Sequence, residues 1–87
     1  MWIVELSFTS EPERLEARPA HRARLAELHE QGVAVMAGPF ADESGSVMIF
    51  DVEGRDQLDQ LLADDPYMNT TGVHVVSIRQ WSPLQLD

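Results

Sequence analysis

Two residues set the chemical question in this chain: His21 and Asp65. A carboxylate that accepts a hydrogen bond from one imidazole nitrogen fixes the tautomer and aims the other nitrogen, which is then free to take or return a proton. Both residues sit on apolar helical stripes. His21 recurs with Leu25 and Leu28 at i, i+4 and i+7, and Asp65 shares a stripe with Leu58, Leu61 and Leu62. A histidine alone on such a face is more often a hydrogen-bonded core residue than a catalyst. Asp65 changes the weighing. An acid at a helix C-terminus faces the negative end of the dipole, at a cost on the order of 0.3–1 kcal/mol, and Asp64 beside it adds repulsion. Either Asp65 caps a backbone amide in the turn at Pro66, or it is held there to pair with His21.

Other polar residues gather around this pair. Arg14 and Arg18, expected in the loop above this pair, are candidates for binding a carboxylate or phenolate. Their alternative is ordinary solvated charge. Asp42 and Ser46 border a loop and offer polar contacts or plain turn chemistry. Tyr67 either lines a pocket or packs. His29 and His74 have no partner in sequence and read as structural or exposed. No His/Cys spacing supports a metal site, and no phosphate-cradling glycine loop or serine-nucleophile motif is present, so neither metal nor cofactor is expected.

The elements that must position these residues follow from periodicity. Residues 2–8 alternate as a strand. Ser10-Glu11-Pro12-Glu13 matches a capping box for a short helical turn. Pro19 is expected to stop that turn and to open the first full helix over residues 19–31. Gly32 then serves as its left-handed C-terminal residue. Residues 33–37 and 46–52 read as a hairpin joined by the turn-forming stretch 38–45. Residues 55–65 read as a second helix, ended by Pro66, and a last strand covers roughly 73–81, with a short tail from Ser82.

The order βαββαβ is that of a ferredoxin-like α+β domain with an antiparallel sheet carrying both helices on one face. Val47 and Ile49 point to one side of their strand, Met48 and Phe50 to the other. A sheet apolar on both faces needs a second layer, and a chain of 87 residues has no spare element to supply it. A face-to-face homodimer is the simplest source. Chain direction places the start of the first helix, the hairpin loop and the end of the second helix at one end of the sheet. His21 is expected in the first turn of the one and Asp65 as the last residue of the other.

Composition narrows the partners. The net charge is −9, from fifteen acids against six arginines, which argues against nucleic acid or anionic membrane as the partner. There is no cysteine, hence no disulfide and no thiolate chemistry. The N-terminal residues lack the basic and apolar regions of a signal peptide, and no apolar run approaches the ~20 residues of a membrane span. The expected location is the cytoplasm.

The landmarks together resemble the YCII-related (YciI-like) family. They are Arg18-Pro19-Ala20-His21, Leu25-Ala26-Glu27-Leu28-His29-Glu30-Gln31-Gly32, Ala37-Gly38-Pro39, Gly45-Ser46, Asp64-Asp65-Pro66-Tyr67 and the closing strand Val75–Trp81. The resemblance implies a ferredoxin-like fold assembled as a dimeric α+β barrel. It also implies a His/Asp-centred site, in which the histidine is His21 and the aspartate is Asp65, with Asp42 as the rival. The loop between Gly38-Pro39 and Gly45-Ser46 is shorter than is common in the family, which bears on the shape of the pocket. Related barrels include lactone isomerases and small monooxygenases of aromatic metabolism. Two functions are therefore expected. One is a cofactor-independent enzyme in which His21, oriented by Asp65, moves a proton on a small cyclic or aromatic metabolite. The other is a small-molecule-binding or accessory dimerisation module without turnover.

Overall fold

The computed structural model describes residues 1–86. The chain runs β1 (Trp2–Phe8), α1 (Glu13–Glu30), β2 (Ala34–Pro39), β3 (Gly45–Phe50), α2 (Arg55–Ala63), a 3₁₀ turn (Pro66–Asn69) and β4 (Val73–Gln80). The four strands form one antiparallel sheet in the order β2-β3-β1-β4, the ferredoxin-like arrangement. Alternate residues of β1 and β3 build the helix-facing side. Val4 lies opposite Met48, Leu6 opposite Ser46 and Trp2 opposite Phe50. Val4, Leu6, Met48 and Phe50 are buried there under Leu28 of α1 and Leu58 and Leu62 of α2. Each such side chain contributes roughly 1.5–3 kcal/mol on burial. No helix among the described residues is long and apolar enough to cross a membrane.

The first helix departs most from the sequence expectation. It starts at Glu13 instead of residue 19 and carries Pro19 inside it. Ser10 forms no capping box: the residue at the N-cap is Pro12, which has no side-chain cap. A proline within a helix removes the N–H that would bond the carbonyl four residues back, here that of Leu15. Leu15, Glu16, Pro19 and Ala20 are all exposed, so the freed carbonyl is on the side that faces water, and the helix continues. His21 is consequently in the middle of α1, not in its first turn. The C-terminus is as expected. Gly32 has φ +78°, its N–H bonds the His29 carbonyl and the Val33 N–H bonds the Leu28 carbonyl, the two bonds of a Schellman motif.

Strand β2 is longer than read from the sequence because Gly38 and Pro39 extend it. It is an edge strand, where a missing N–H is tolerated. A bulge at Val35 separates the Ala34–Phe50 pair from the Met36–Ile49 pair. The loop therefore shrinks to residues 40–44. Strand β3 begins at Gly45, where a Cβ would collide with the Leu6 carbonyl of β1; glycine is what lets the two backbones approach. Helix α2 ends at Ala63, with Asp64 as its C-cap, so Asp65 is not its last residue. Asp65 is extended, with φ −81° and ψ 127°, and caps the 3₁₀ turn that follows.

Candidate functional site

The 65–69 segment packs against the middle of α1 and closes the site. Asp65 is 2 % exposed and His21 5 % exposed. The imidazole Nδ1–H donates to both carboxylate oxygens, at 2.8 Å and 2.9 Å. The Tyr67 backbone N–H also donates to Asp65 Oδ1, at 2.9 Å. The carboxylate thus accepts from a ring on one side and from the start of a 3₁₀ turn on the other, and both readings weighed for it are realised. Its place at the N-terminus of that turn also removes the dipole penalty expected at the end of α2, since orphan N–H groups favour an anion. With Nδ1 committed to a carboxylate, the neutral imidazole keeps its lone pair on Nε2, the nitrogen left without a protein partner among the described residues.

Aromatic packing fixes the ring from its face. Tyr67 stacks on His21 with centroids 3.7 Å apart and planes 8° from parallel. Phe8, at the end of β1, meets Tyr67 edge-on at 5.7 Å. The Arg14 guanidinium lies 4.4 Å from the Phe8 ring centroid. A ladder of side chains thus runs from Arg14 through Phe8 and Tyr67 to His21 and Asp65, and each aromatic contact in it contributes about 0.5–1.5 kcal/mol.

His21 lines a cavity of about 560 Å³ between α1, β2 and the start of β3, within the range of small-molecule sites. Its floor is largely apolar, with Met48, Ala34 and Leu25. Arg14, Arg18, Ser46 and Tyr67 line the cavity, as do Arg22 and His29, which the sequence reading did not assign to a site. Arg14 and Arg18 belong to α1 and not to a loop above it. Arg18 approaches Glu43 at 3.5 Å at the rim. The His29 Nδ1–H donates to the Ala34 carbonyl at 2.8 Å, tying the end of α1 to β2.

Asp42 is not part of this wall. It is exposed, its carboxylate accepts the Ser44 N–H at 3.0 Å, and it serves the turn. Hydrogen bonding from Ser44, first by its side chain and then by its backbone, holds the Asp42 carboxyl below the usual range. Of the two aspartates considered as the partner of His21, the structure puts Asp65 there. No three His, Asp or Glu side chains among the described residues come together as metal ligands.

The sequence signal that was missed is a spacing. Arg14, Arg18 and Arg22 stand at i, i+4 and i+8, and His21, Leu25 and His29 repeat the same interval one residue away. The histidine row already lies within residues 19–31, but the arginine row joins it on one helix face only if the helix runs through Pro19.

Comparison with known proteins bears on the fold and on the family. A model described as the YCII-related domain matches residues 1–82. Among solved structures the chain is similar to 5-chloro-2-hydroxyhydroquinone dehydrochlorinase (TftG) from Burkholderia phenoliruptrix AC1100, in complex with 2,5-dihydroxybenzoquinone. Identity is 18%, 94% of each chain is covered and the TM-score is 0.70. No curated protein matches the sequence.

Proposed function

The chain belongs to the YCII-related domain family, and from that premise we propose that it is a cofactor-independent acid–base enzyme acting on a small cyclic or aromatic metabolite. The observation that carries this reading is the two-pronged Nδ1–carboxylate contact of His21 with Asp65 in the wall of a cavity. Substrate would bind above His21, beside Arg14, Arg18, Ser46 and Tyr67.

In the proposed step, His21 Nε2 takes a proton from a ring hydroxyl or from an sp3 ring carbon beside a carbonyl, and the electron pair left behind moves into the ring. In an isomerisation the proton returns at another ring position. In an elimination the ring carbon that carries the leaving group is first protonated to its sp3 keto form. The pair from a deprotonated hydroxyl then forms a new C=O bond and expels the leaving group as its anion, and the net proton passes to solvent. Neither course needs an electron acceptor. Asp65 is a positioning residue: it holds the tautomer and balances the positive charge of the protonated imidazole. The likeness to a dehydrochlorinase in complex with 2,5-dihydroxybenzoquinone supports the elimination course and a hydroxylated ring. Two subunits joined through the open side of the sheet complete the proposal.

The test offers the protein 5-chloro-2-hydroxyhydroquinone, other hydroxylated rings and unsaturated lactones. It follows product by absorbance and ring-proton exchange with deuterium oxide by NMR. A positioned base contributes about 10²–10⁴-fold, and His21→Ala is expected to lose turnover and exchange by that factor. Asp65→Asn is expected to lose a large part of it. Folded His21→Ala and Asp65→Asn proteins that convert whatever the wild type converts, at the same rate, would overturn the reading. Wild-type binding with no conversion or exchange would make the site a non-catalytic binding pocket.

A further inference from the structure

We propose that the cavity selects an anionic ligand, a planar ring bearing a carboxylate or similar oxyanion, with Arg14 and Ser46 as direct anchors and Arg22 guiding its approach. This rests on the reading of the cavity as the substrate site.

The first support is the distribution of charge. The chain carries fifteen acids and six arginines. Among the described residues, the cavity wall takes three of those arginines and none of those acids. Of the carboxylates that touch wall residues, Asp65 is occupied by the imidazole and the Tyr67 amide, and Glu43 meets Arg18 at the rim. A low-dielectric cleft lined with one sign of charge focuses the field and raises the local concentration of the opposite ion. Here the cleft wall is basic on a strongly acidic protein, so the net charge repels anions while the cleft wall attracts them.

The second support is independent of charge. Ser46 Oγ and Arg14 Nε are buried polar atoms without a hydrogen-bond partner, and both residues line this cavity. Ser46 is 6 % exposed. A buried polar group left unpaired is costly, and in a native fold it calls for an explanation. In the proposed complex, ligand oxygens accept from the Arg14 guanidinium and from the Ser46 hydroxyl. Arg14 is braced for that task by the Phe8 ring beneath it. Of the other two arginines, Arg18 is engaged with Glu43 at the rim. Arg22 has no ion pair among the described residues and acts at longer range.

Benzoate and benzamide test this, since they share a ring and a shape and differ in charge. Each is titrated into the wild type at low ionic strength by isothermal calorimetry or NMR. A charged hydrogen bond corresponds to roughly a 10–100-fold difference in affinity. Benzoate is therefore expected to bind at least about tenfold tighter than benzamide, with a preference that fades as salt rises. Arg14→Gln should bring the ratio close to one. Arg14→Lys, which keeps the charge but loses the guanidinium fork, and Ser46→Ala should each give an intermediate ratio. His21→Ala should keep the preference, so this result and the proton-transfer result stand or fall separately. Equal affinities in the wild type, binding of neither probe, or a preference that survives in folded Arg14→Gln would overturn the proposal. So would a preference lost in His21→Ala alone.

Discussion

At the scale of the residue, the site depends on how tightly one imidazole is held. Asp65 fixes His21 in the ring plane through Nδ1, and Tyr67 fixes it from the face. Tyr67 does this twice, because its backbone N–H also anchors the carboxylate. Its stacked π face is complementary to the positive charge the imidazole carries once it has taken a proton. Tyr67→Phe keeps the stack and should leave stability within about 1 kcal/mol of the wild type. Tyr67→Leu loses it and should cost about 1–3 kcal/mol in urea unfolding, the range for reducing a buried aromatic. The NMR signature is specific: the ring protons of His21 lose the shielding of the aromatic ring in Tyr67→Leu and keep it in Tyr67→Phe. Unchanged His21 resonances in Tyr67→Leu would show that the stack does not hold the ring. The pairing of His21 with Asp65 was read from apolar stripes and chain direction, and the pair does form, but not for that reason: His21 is in the middle of α1 and Asp65 lies past the end of α2, in the turn that packs on α1. The double role of Asp65 was not legible in the sequence, since whether the chain at residue 65 is still helical depends on packing against α1 and not on local pattern.

At the scale of the element, α1 carries most of the difference between sequence and structure. Pro19 and the residue before it disfavour a continuous helix locally. Tertiary contact outweighs that: Arg14, Ala17, Leu28 and His21 are all needed on one packed face, and the lost hydrogen bond falls on the exposed side. The consequence reaches the site. A helix begun at residue 19 leaves Arg14 and Arg18 in a loop and hides their four-residue interval with Arg22. A helix begun at residue 13 turns the three into a stripe along the cavity. The same account predicts that Pro19 is a burden the fold tolerates. A proline costs about 3 kcal/mol relative to alanine inside a helix, offset by about 0.4–1 kcal/mol through its restriction of the unfolded chain. Pro19→Ala should therefore raise unfolding stability by about 2 kcal/mol, read from the shift of the urea midpoint at constant slope. A lower midpoint would mean that the ring itself makes contacts α1 depends on. The β2–β3 boundary was misread for a related reason. Gly38 and Pro39 are turn formers by composition, yet an edge strand accepts both, and only pairing with β3 reveals that the strand continues through them.

At the scale of the whole molecule, the sheet still has a side that no helix covers. The register lines up Arg79, Ile3, Ile49 and Met36 as one row across all four strands. Ile3 and Ile49 are half-buried and Met36 is 67 % exposed. The two-faced character of β3 was visible in the alternation of residues 46–50, but the row was not, because the bulge at Val35 decides which β2 residue meets Ile49. The chain exposes 5640 Å², where a compact monomer of its mass would expose about 5,200 Å². An isologous pair of such sheets covers the row with a copy of itself and needs no further element. Polar neighbours on the same face, Glu5, Ser7 and Ser77, fit the mixed composition of an interface that forms between folded chains. Light scattering of the wild type should give twice the monomer mass of 9.8 kDa. Ile49→Arg puts a charge at the centre of the row, on a side that faces water in the single chain. It should therefore leave unfolding cooperative while lowering the scattering mass to 9.8 kDa. The cavity opens on the helix side of the sheet, so the separated subunit should still prefer benzoate over benzamide. A wild type that already scatters as a monomer at micromolar concentration would leave that apolar row without its proposed cover and would refute the pairing.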